Sequence, residues 1–362
     1  MTIYDCIVIG AGPGGLAMSF YLQQHGLCYL TLEKGEVGQS WKDMSACFSL
    51  LSPMWTNVLP GDRLGLSCLR HMTCNQYGVY LQHYAARQQL HIQTHTPVRR
   101  VETTEEFLHL YTDRGIFMTK SLVSAAGYFS NPYQPDVAVA PTPDCLVIHA
   151  AQYRSVEQMR QHCVQSALII GKRNTAGQLL TDLYNAGIRV SLAMRNTLTF
   201  RDNSSLKGRL KEFLYFFWEE VWIRRHLNLR LDSFPPMDSK DAKDIIESGA
   251  VRLYPPIQRI SGKTVRFDDE SSATFDAVIF ATGYRPTLQH LRDFIPPETP
   301  LSYETAFALE KQRIFFVGLD NLYNYRSRYI RGIRNDARIV AAKVKKAIQG
   351  ALLVPDEVEE PV

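Results

Sequence analysis

Four absences set the first limits. The seven cysteines (Cys6, Cys28, Cys47, Cys68, Cys74, Cys145 and Cys163) are scattered, odd in number and never spaced Cys-x-x-Cys. Such usage gives no disulfide framework, zinc site or dithiol redox centre; no metal is expected, and reduced thiols in the cytoplasm fit it best. No run reaches the roughly 18 apolar residues of a membrane-spanning helix. The apolar N-terminus lacks the basic n-region of a signal peptide. A formal net charge of +4 is small for 362 residues, and without basic and aromatic alternation it gives no reason to expect a nucleic-acid partner. What remains is ordinary globular composition, 45% hydrophobic and 21% charged, long enough for two domains with cores of their own. Only the last few residues read as disordered.

The most informative stretch is Ile7-Val8-Ile9-Gly10-Ala11-Gly12-Pro13-Gly14-Gly15-Leu16-Ala17, an apolar run that breaks into glycines and resumes as a helix. Gly10 permits the tight turn, Gly12 lets backbone approach a pyrophosphate, and Gly15 lets the helix pack close on the strand. The free N–H groups of the helix start face the phosphates. Tyr29-Leu30-Thr31-Leu32 reads as the next strand and ends at Glu33, about 20 residues on, where an acid holds a ribose hydroxyl. A dinucleotide site is the reading, with Gly10, Gly12, Pro13, Gly14 and Glu33 on the ligand.

After Glu33, Lys34-Gly35-Glu36-Val37-Gly38-Gln39-Ser40-Trp41 is a glycine-rich loop ending on an indole. It resembles the Gly-x-x-Trp segment that follows the FAD ribose-binding acid in flavin-containing monooxygenases and their relatives. Tyr77, Val79, Tyr80, Leu81 and Tyr84 give a helix face; Leu90–Thr94 and Thr96–Val101 read as strands. In the resembling family the valine at Val98 pairs with the adenine edge through its backbone. Phe107–Tyr111 and Gly115–Thr119 form a hairpin. Leu122–Gly127 follows, matching the family's Ala-Thr-Gly strand end with Ala126 for Thr; a second, intact copy is Ala281-Thr282-Gly283. Small residues there permit the chain to cross between domains. The resemblance places Lys34, Gln39, Trp41, Val98, Ala126 and Gly283 on FAD together with the first turn.

Between the copies lies a second nucleotide-like unit. Ala167-Leu168-Ile169-Ile170-Gly171-Lys172-Arg173-Asn174-Thr175-Ala176 repeats strand, turn and helix start. The next strand, Ile188–Met194, ends on Arg195, where an acid stands for NAD; a cation there suits the 2′-phosphate of NADP. Gly171, Arg173, Asn174, Thr175, Arg195 and Thr282 are thus the NADPH candidates. Arg173 sits where the second glycine belongs, and either obstructs the pyrophosphate or holds it. We favour the second, because Arg195 and the helix start Asn174-Thr175-Ala176 are retained.

His149–Arg154 resembles the His and Tyr end of the family's hinge signature, with Pro143 and Cys145 at its preceding aromatic and glycine. His149 is assigned no chemistry. Pro53 stands where animal members carry an asparagine. Leu206–Leu227 shows helical spacing with a heavy aromatic load, read as a helix packed on the second domain or on a dimer partner, a substrate-lining lid, or a membrane-surface helix. Ser233-Phe234-Pro235-Pro236 ends it. Val251–Tyr254, Val265–Phe267 and Ile314–Gly318 read as strands, and Ile330–Ile348 as a basic helix with a solvated cationic face.

The fold expected is α/β with two Rossmann-like dinucleotide-binding domains. An NADPH-type domain at 151–275, carrying an aromatic insertion at about 200–245, is inserted into an FAD-type domain of 1–150 and 276–362. The resemblance covers essentially the whole chain and implies an FAD-dependent, NADPH-using monooxygenase. In such enzymes O2 adds to the reduced flavin at C4a, giving a peroxyflavin that transfers one oxygen to a small-molecule substrate. The protein supplies orientation and a dry site, so no catalytic acid or base is assigned. Peripheral membrane contact and a homodimer stay open. So do two other functions: a reductase without oxygen insertion, and a binding subunit with a degenerate second site.

Overall fold

The computed structural model describes residues 2–62, 71–140, 142–200, 206–218, 237, 240–296 and 301–350. Two five-stranded parallel sheets carry the fold. The first runs in the order Ile314–Phe316, Leu122–Ser124, Cys6–Ile9, Tyr29–Leu32, Ile92–Gln93. The second runs Leu146–His149, Ala277–Phe280, Ser166–Ile170, Arg189–Ala193, Arg252–Tyr254. Continuous buried runs such as Cys-Ile-Val-Ile and Ala-Val-Ile-Phe suit strands covered on both faces. Each sheet is joined by a four-stranded, largely antiparallel one: Ile3–Tyr4, Gly115–Thr119, Leu108–Thr112 and Val98–Thr103 beside the first, and Ser272–Thr274, Thr264–Phe267, Ile257–Ser261 and Ala138–Ala140 beside the second. The predicted hairpin pairs as expected, with Thr112 opposite Gly115.

Helix Pro13–Gln24 begins with proline in its first turn, where the missing N–H costs nothing, and is buried on most of its length. It lies between the first sheet and helix Ile330–Ile348. A hydroxyl pair, Ser19 Oγ and Thr31 Oγ1 at 2.6 Å, fastens it to the neighbouring strand, and Ser19 also donates to the Gly15 carbonyl. A Cβ on Gly15 would stand 1.7 Å from the Gly10 carbonyl oxygen, so only glycine lets helix and turn meet.

Several expectations are corrected. Leu146–His149 and Ala277–Phe280, placed with the first domain by sequence, hydrogen-bond into the second sheet, and Ala138–Ala140 pairs with Ile257–Ser261; an apolar run does not say which parallel sheet it joins. Trp41 is on a one-turn helix, Gln39–Lys42, rather than in open loop. Val79 is exposed on helix Cys74–Arg87, whose buried face runs through Tyr77, Leu81 and Tyr84. Thr96 and Pro97 precede the strand that starts at Val98. The cationic face of Ile330–Ile348 is incomplete, because Arg331 is buried along with Asp336, whose carboxyl burial pushes up to about 6. The aromatic helix is seen over Leu206–Trp218; its expected continuation, the Ser233–Pro236 turn and the disordered tail lie outside the described residues.

The glycine contact sets the first prediction. Gly15→Ala forces helix and turn apart and should cost about 1–3 kcal/mol, as overpacking does, read as a lowered urea midpoint with an unchanged slope.

Candidate active site

The C-terminal ends of both parallel sheets open onto one cavity of about 1190 Å3. Every residue singled out from sequence for a nucleotide lines it: Gly10, Gly12, Pro13, Gly14, Glu33, Lys34, Gln39, Trp41, Val98, Ala126 and Gly283, and also Gly171, Arg173, Asn174, Thr175, Arg195 and Thr282.

At the first turn Gly10 has φ +102°, and an added Cβ would be 2.8 Å from the Ala125 carbonyl oxygen. Gly12 is the N-cap of the following helix, and a Cβ on it would meet nothing within 4 Å. That bare backbone borders the cavity, a cradle a side chain would fill. Glu33 is fixed beside it: Oε2 accepts from the Ala11 N–H at 2.6 Å and Oε1 from the Gly35 N–H at 3.0 Å. Lys34 Nζ donates to Ser130 Oγ at 2.7 Å, and Gln39 Oε1 accepts from the Glu36 N–H at 2.8 Å. Trp41 packs edge-on against Tyr77 and Phe129, with centroids 5.0 and 4.9 Å away. Val98 begins its strand next to a register shift.

The second turn repeats the first. Gly171 has φ +150° and its Cβ would be 2.5 Å from the Ala281 carbonyl oxygen. Arg173 caps helix Asn174–Asn185 with φ −114° and ψ −169°, close to the −84° and −169° of Gly12. The turn therefore keeps its shape with a side chain at this position. Arg195 is exposed two residues past the end of strand Arg189–Ala193, one residue further along than Glu33 stands after its own strand. Thr282 Oγ1 donates to the Tyr133 carbonyl.

His149 is structural, as read. Its Nδ1 accepts from the Ala151 N–H at 3.0 Å, so Nε2 carries the proton and donates to the Gly283 carbonyl at 3.1 Å. Burial holds its pKa below the ordinary histidine value against that bond. Pro53 does not line the cavity; it caps a one-turn helix, Met54–Asn57, whose Asn57 does line it. Cys74 also lines it, with its thiol pushed up to about 12 by burial. No group of three or more His, Cys, Asp or Glu able to hold a metal occurs among the described residues, and no helix among them is long and apolar enough to cross a membrane.

From sequence, Leu206–Leu227 as a substrate-lining lid is one of three alternatives, and no residue of the far wall is singled out by number. Tyr215 and Phe216 of helix Leu206–Trp218 and Arg328, Tyr329 and Arg331 near the C-terminus also line the cavity. Arg331 lies 4.3 Å from the Tyr329 ring centroid and 5.3 Å from that of Phe216. The aromatic load of the helix was the one available signal; nothing local marked the arginines.

The family model described as pyridine nucleotide-disulphide oxidoreductase matches residues 7–318. Over 288 residues the chain is 27% identical to an uncharacterized oxidoreductase, CzcO-like, of Geobacillus kaustophilus, covering 78% of this chain and 81% of that one. It is 25% identical over 341 residues to the probable indole-3-pyruvate monooxygenase YUCCA1 of Arabidopsis thaliana, covering 83% and 82%. Among solved structures, a flavin-containing monooxygenase from Stenotrophomonas maltophilia shares the fold with a TM-score of 0.76 at 21% identity, over 95% of this chain and 99% of that one. A bacillithiol disulfide reductase from Staphylococcus aureus does so with a TM-score of 0.70 at 18% identity, over 94% and 98%. Because the matched stretch takes in both glycine turns and both crossing points, the chain belongs to the pyridine nucleotide-disulphide oxidoreductase family.

Proposed function

We propose that this protein is an FAD-dependent, NADPH-using monooxygenase that inserts one atom of O2 into a small organic substrate. One observation carries the reading: two nucleotide-type turns of the same geometry face a single cavity, with an acid past the strand end at one and a cation at the other. FAD fits the first turn, where Gly12 leaves room for a pyrophosphate and Glu33 is held ready for ribose hydroxyls. NADPH fits the second, with Arg195 for the 2′-phosphate and Arg173 for the pyrophosphate. On this reading the FAD-binding unit comprises the chain up to Gly127 and from Gly283 onward, and the NADPH-binding unit the stretch between.

When bound, reduced flavin supplies the oxygen-activating chemistry. The chain's own residues bind, orient and keep water out. Trp41, Phe129 and Tyr284 form an aromatic chain on the cavity wall, with Phe129 and Tyr284 edge-on at 5.3 Å, and Tyr215 and Phe216 close the other side. Among the described residues Cys74 is the one cysteine on the cavity, and a thiol held protonated by burial does not serve disulfide exchange. That favours oxygen insertion over a reductase working through a protein thiol. Anaerobic NADPH should bleach the flavin. On admitting air, product formed in step with NADPH use supports a monooxygenase; peroxide without product for any offered substrate supports a reductase.

Four outcomes follow from the site. The protein should purify with FAD, and Glu33→Ala should weaken its binding roughly 10-fold or more, the worth of a charge-assisted hydrogen bond, by fluorescence titration. Gly12→Ala should lose FAD affinity while keeping the urea midpoint of the FAD-free protein, since the added Cβ meets no protein atom. In stopped-flow reduction NADPH should outpace NADH, with the preference falling about 10-fold in Arg195→Ala. Arg173→Gly should weaken NADPH, because the turn already has its shape and the change removes the charge read as holding the pyrophosphate; tighter binding would mean that the side chain obstructs.

A further inference from the structure

One side chain of the second unit completes a β-type pairing in the first. Residues 48–52 run along the cavity wall and all line it. They pair antiparallel with the segment that leads into helix Cys74–Arg87, Ser49 standing opposite Thr73. The bonds of that pairing flank Ser49: the Cys74 N–H donates to the Phe48 carbonyl at 2.8 Å and the Leu50 N–H to the Met72 carbonyl at 2.9 Å. Ser49 and Thr73 are thus a non-hydrogen-bonded pair, and the N–H and C=O of Ser49 point away from Thr73. There they meet Gln178. Its Oε1 accepts from the Ser49 N–H at 3.3 Å and its Nε2 donates to the Ser49 carbonyl at 3.1 Å. The side-chain amide stands where a third strand would, because it offers a donor and an acceptor on one planar group.

Gln178 sits one turn into helix Asn174–Asn185, which starts at the second glycine turn. The Gly177 N–H beside it donates to the Arg173 carbonyl at 3.0 Å, so the residue that caps the helix and the residue before Gln178 share one helical bond. At the other end of the clasp, buried Phe48, Leu50 and Ser52 alternate with half-buried Ser49 and Leu51, the period of a strand. Opening this wall locally must break both bonds to the helix, and a ligand that steadies the helix start makes the opening rarer. We propose that Gln178 is a positioning residue that couples a ligand on the second turn to the cavity wall at residues 48–52, ordering the wall when the turn is occupied. This rests on the reading that the second unit takes NADP(H). The amide is specifically required: alanine removes both bonds, and a glutamate carboxylate keeps the acceptor but sets an oxygen against the Ser49 carbonyl.

The test is amide hydrogen exchange, read by mass spectrometry on the FAD-loaded protein with and without saturating NADP+, over two stretches: the second turn at 171–177 and the wall at 47–53. In the wild type NADP+ should slow exchange about 3-fold or more in both. In Gln178→Ala it should slow the turn alone, and the Ser49 amide should exchange about 10-fold faster with or without ligand. Gln178→Glu checks the amide itself. At about pH 8 its carboxylate lacks the donor and NADP+ should no longer reach the wall; near pH 4.5, where about half of such carboxyls carry a proton and offer donor and acceptor together, part of the coupling should return. NADP+ that slows the turn but not the wall in the wild type, or slows the wall equally in Gln178→Ala, would overturn the coupling. So would a Gln178→Glu protein that behaves alike at both pH values. NADP+ that slows neither stretch in the wild type would overturn the dinucleotide reading of the second unit, and the coupling with it.

Discussion

At each glycine turn the backbone of one strand end runs against the carbonyl of its neighbour, and the rest of the molecule depends on that approach. The Ala125 N–H donates to the Ile9 carbonyl at 2.9 Å, and the Ala281 N–H to the Ile170 carbonyl at 2.9 Å. These bonds bring Ala125 over Gly10 and Ala281 over Gly171, leaving 2.8 and 2.5 Å where a Cβ would have to stand. Glycine on one side and small residues on the other are therefore one requirement, not two. The small residues also mark where the chain leaves each sheet. Thus the contact that shapes a glycine turn fixes the crossing between units, and both sheets end facing the same cavity.

This is why so much of the site was legible in the sequence. A strand, a glycine turn, a helix start and the residue past the next strand are all set by local backbone requirements, so Gly10, Gly12, Glu33, Gly171 and Arg195 could be placed by spacing. Membership of a sheet is not local. Leu146–His149 and Ala277–Phe280 carry the same apolar signature as the strands of the first sheet and join the second. Arg328 and Arg331 reach the cavity only through tertiary packing, and no pattern in their neighbourhoods announces it. Arg173 falls between these cases. Its spacing exposed the departure from glycine, but the negative φ that makes the departure tolerable is a fact of the folded turn.

The charges on the cavity wall say what it was built to hold. Among the described residues lining it, Glu33 is the one acid, while Lys34, Arg99, Lys172, Arg173, Arg195, Arg328 and Arg331 are cations. A wall so one-sided suits polyanionic ligands and raises their local concentration. It offers few groups poised for proton transfer. His149 has both ring nitrogens engaged and stays neutral; His290 is buried on Ser124, its pKa depressed to about 4 by desolvation; the Cys74 thiol stays protonated. On the proposed function the reactive chemistry arrives with the ligands, and the polypeptide contributes position, charge and shelter.

Position in turn depends on the two linkers that join the units. They are bonded to each other: the Tyr133 N–H donates to the Gly283 carbonyl at 2.9 Å, the Arg285 N–H to the Asn131 carbonyl at 2.9 Å, and Pro132 bridges Tyr284. His149, at the end of a second-sheet strand, adds its own bond to that Gly283 carbonyl. The Arg285 guanidinium lies 4.3 Å from the Tyr133 ring centroid, one more tie between the two crossings. Two flexible tethers would leave the units free to part. Paired as a short antiparallel ribbon they form one connection, anchored at each end to a small-residue strand end that is itself held against a glycine turn. The distance between the two turns, on which any electron transfer between ligands there would depend, is thus set by backbone hydrogen bonds rather than by side chains that substitution could easily change.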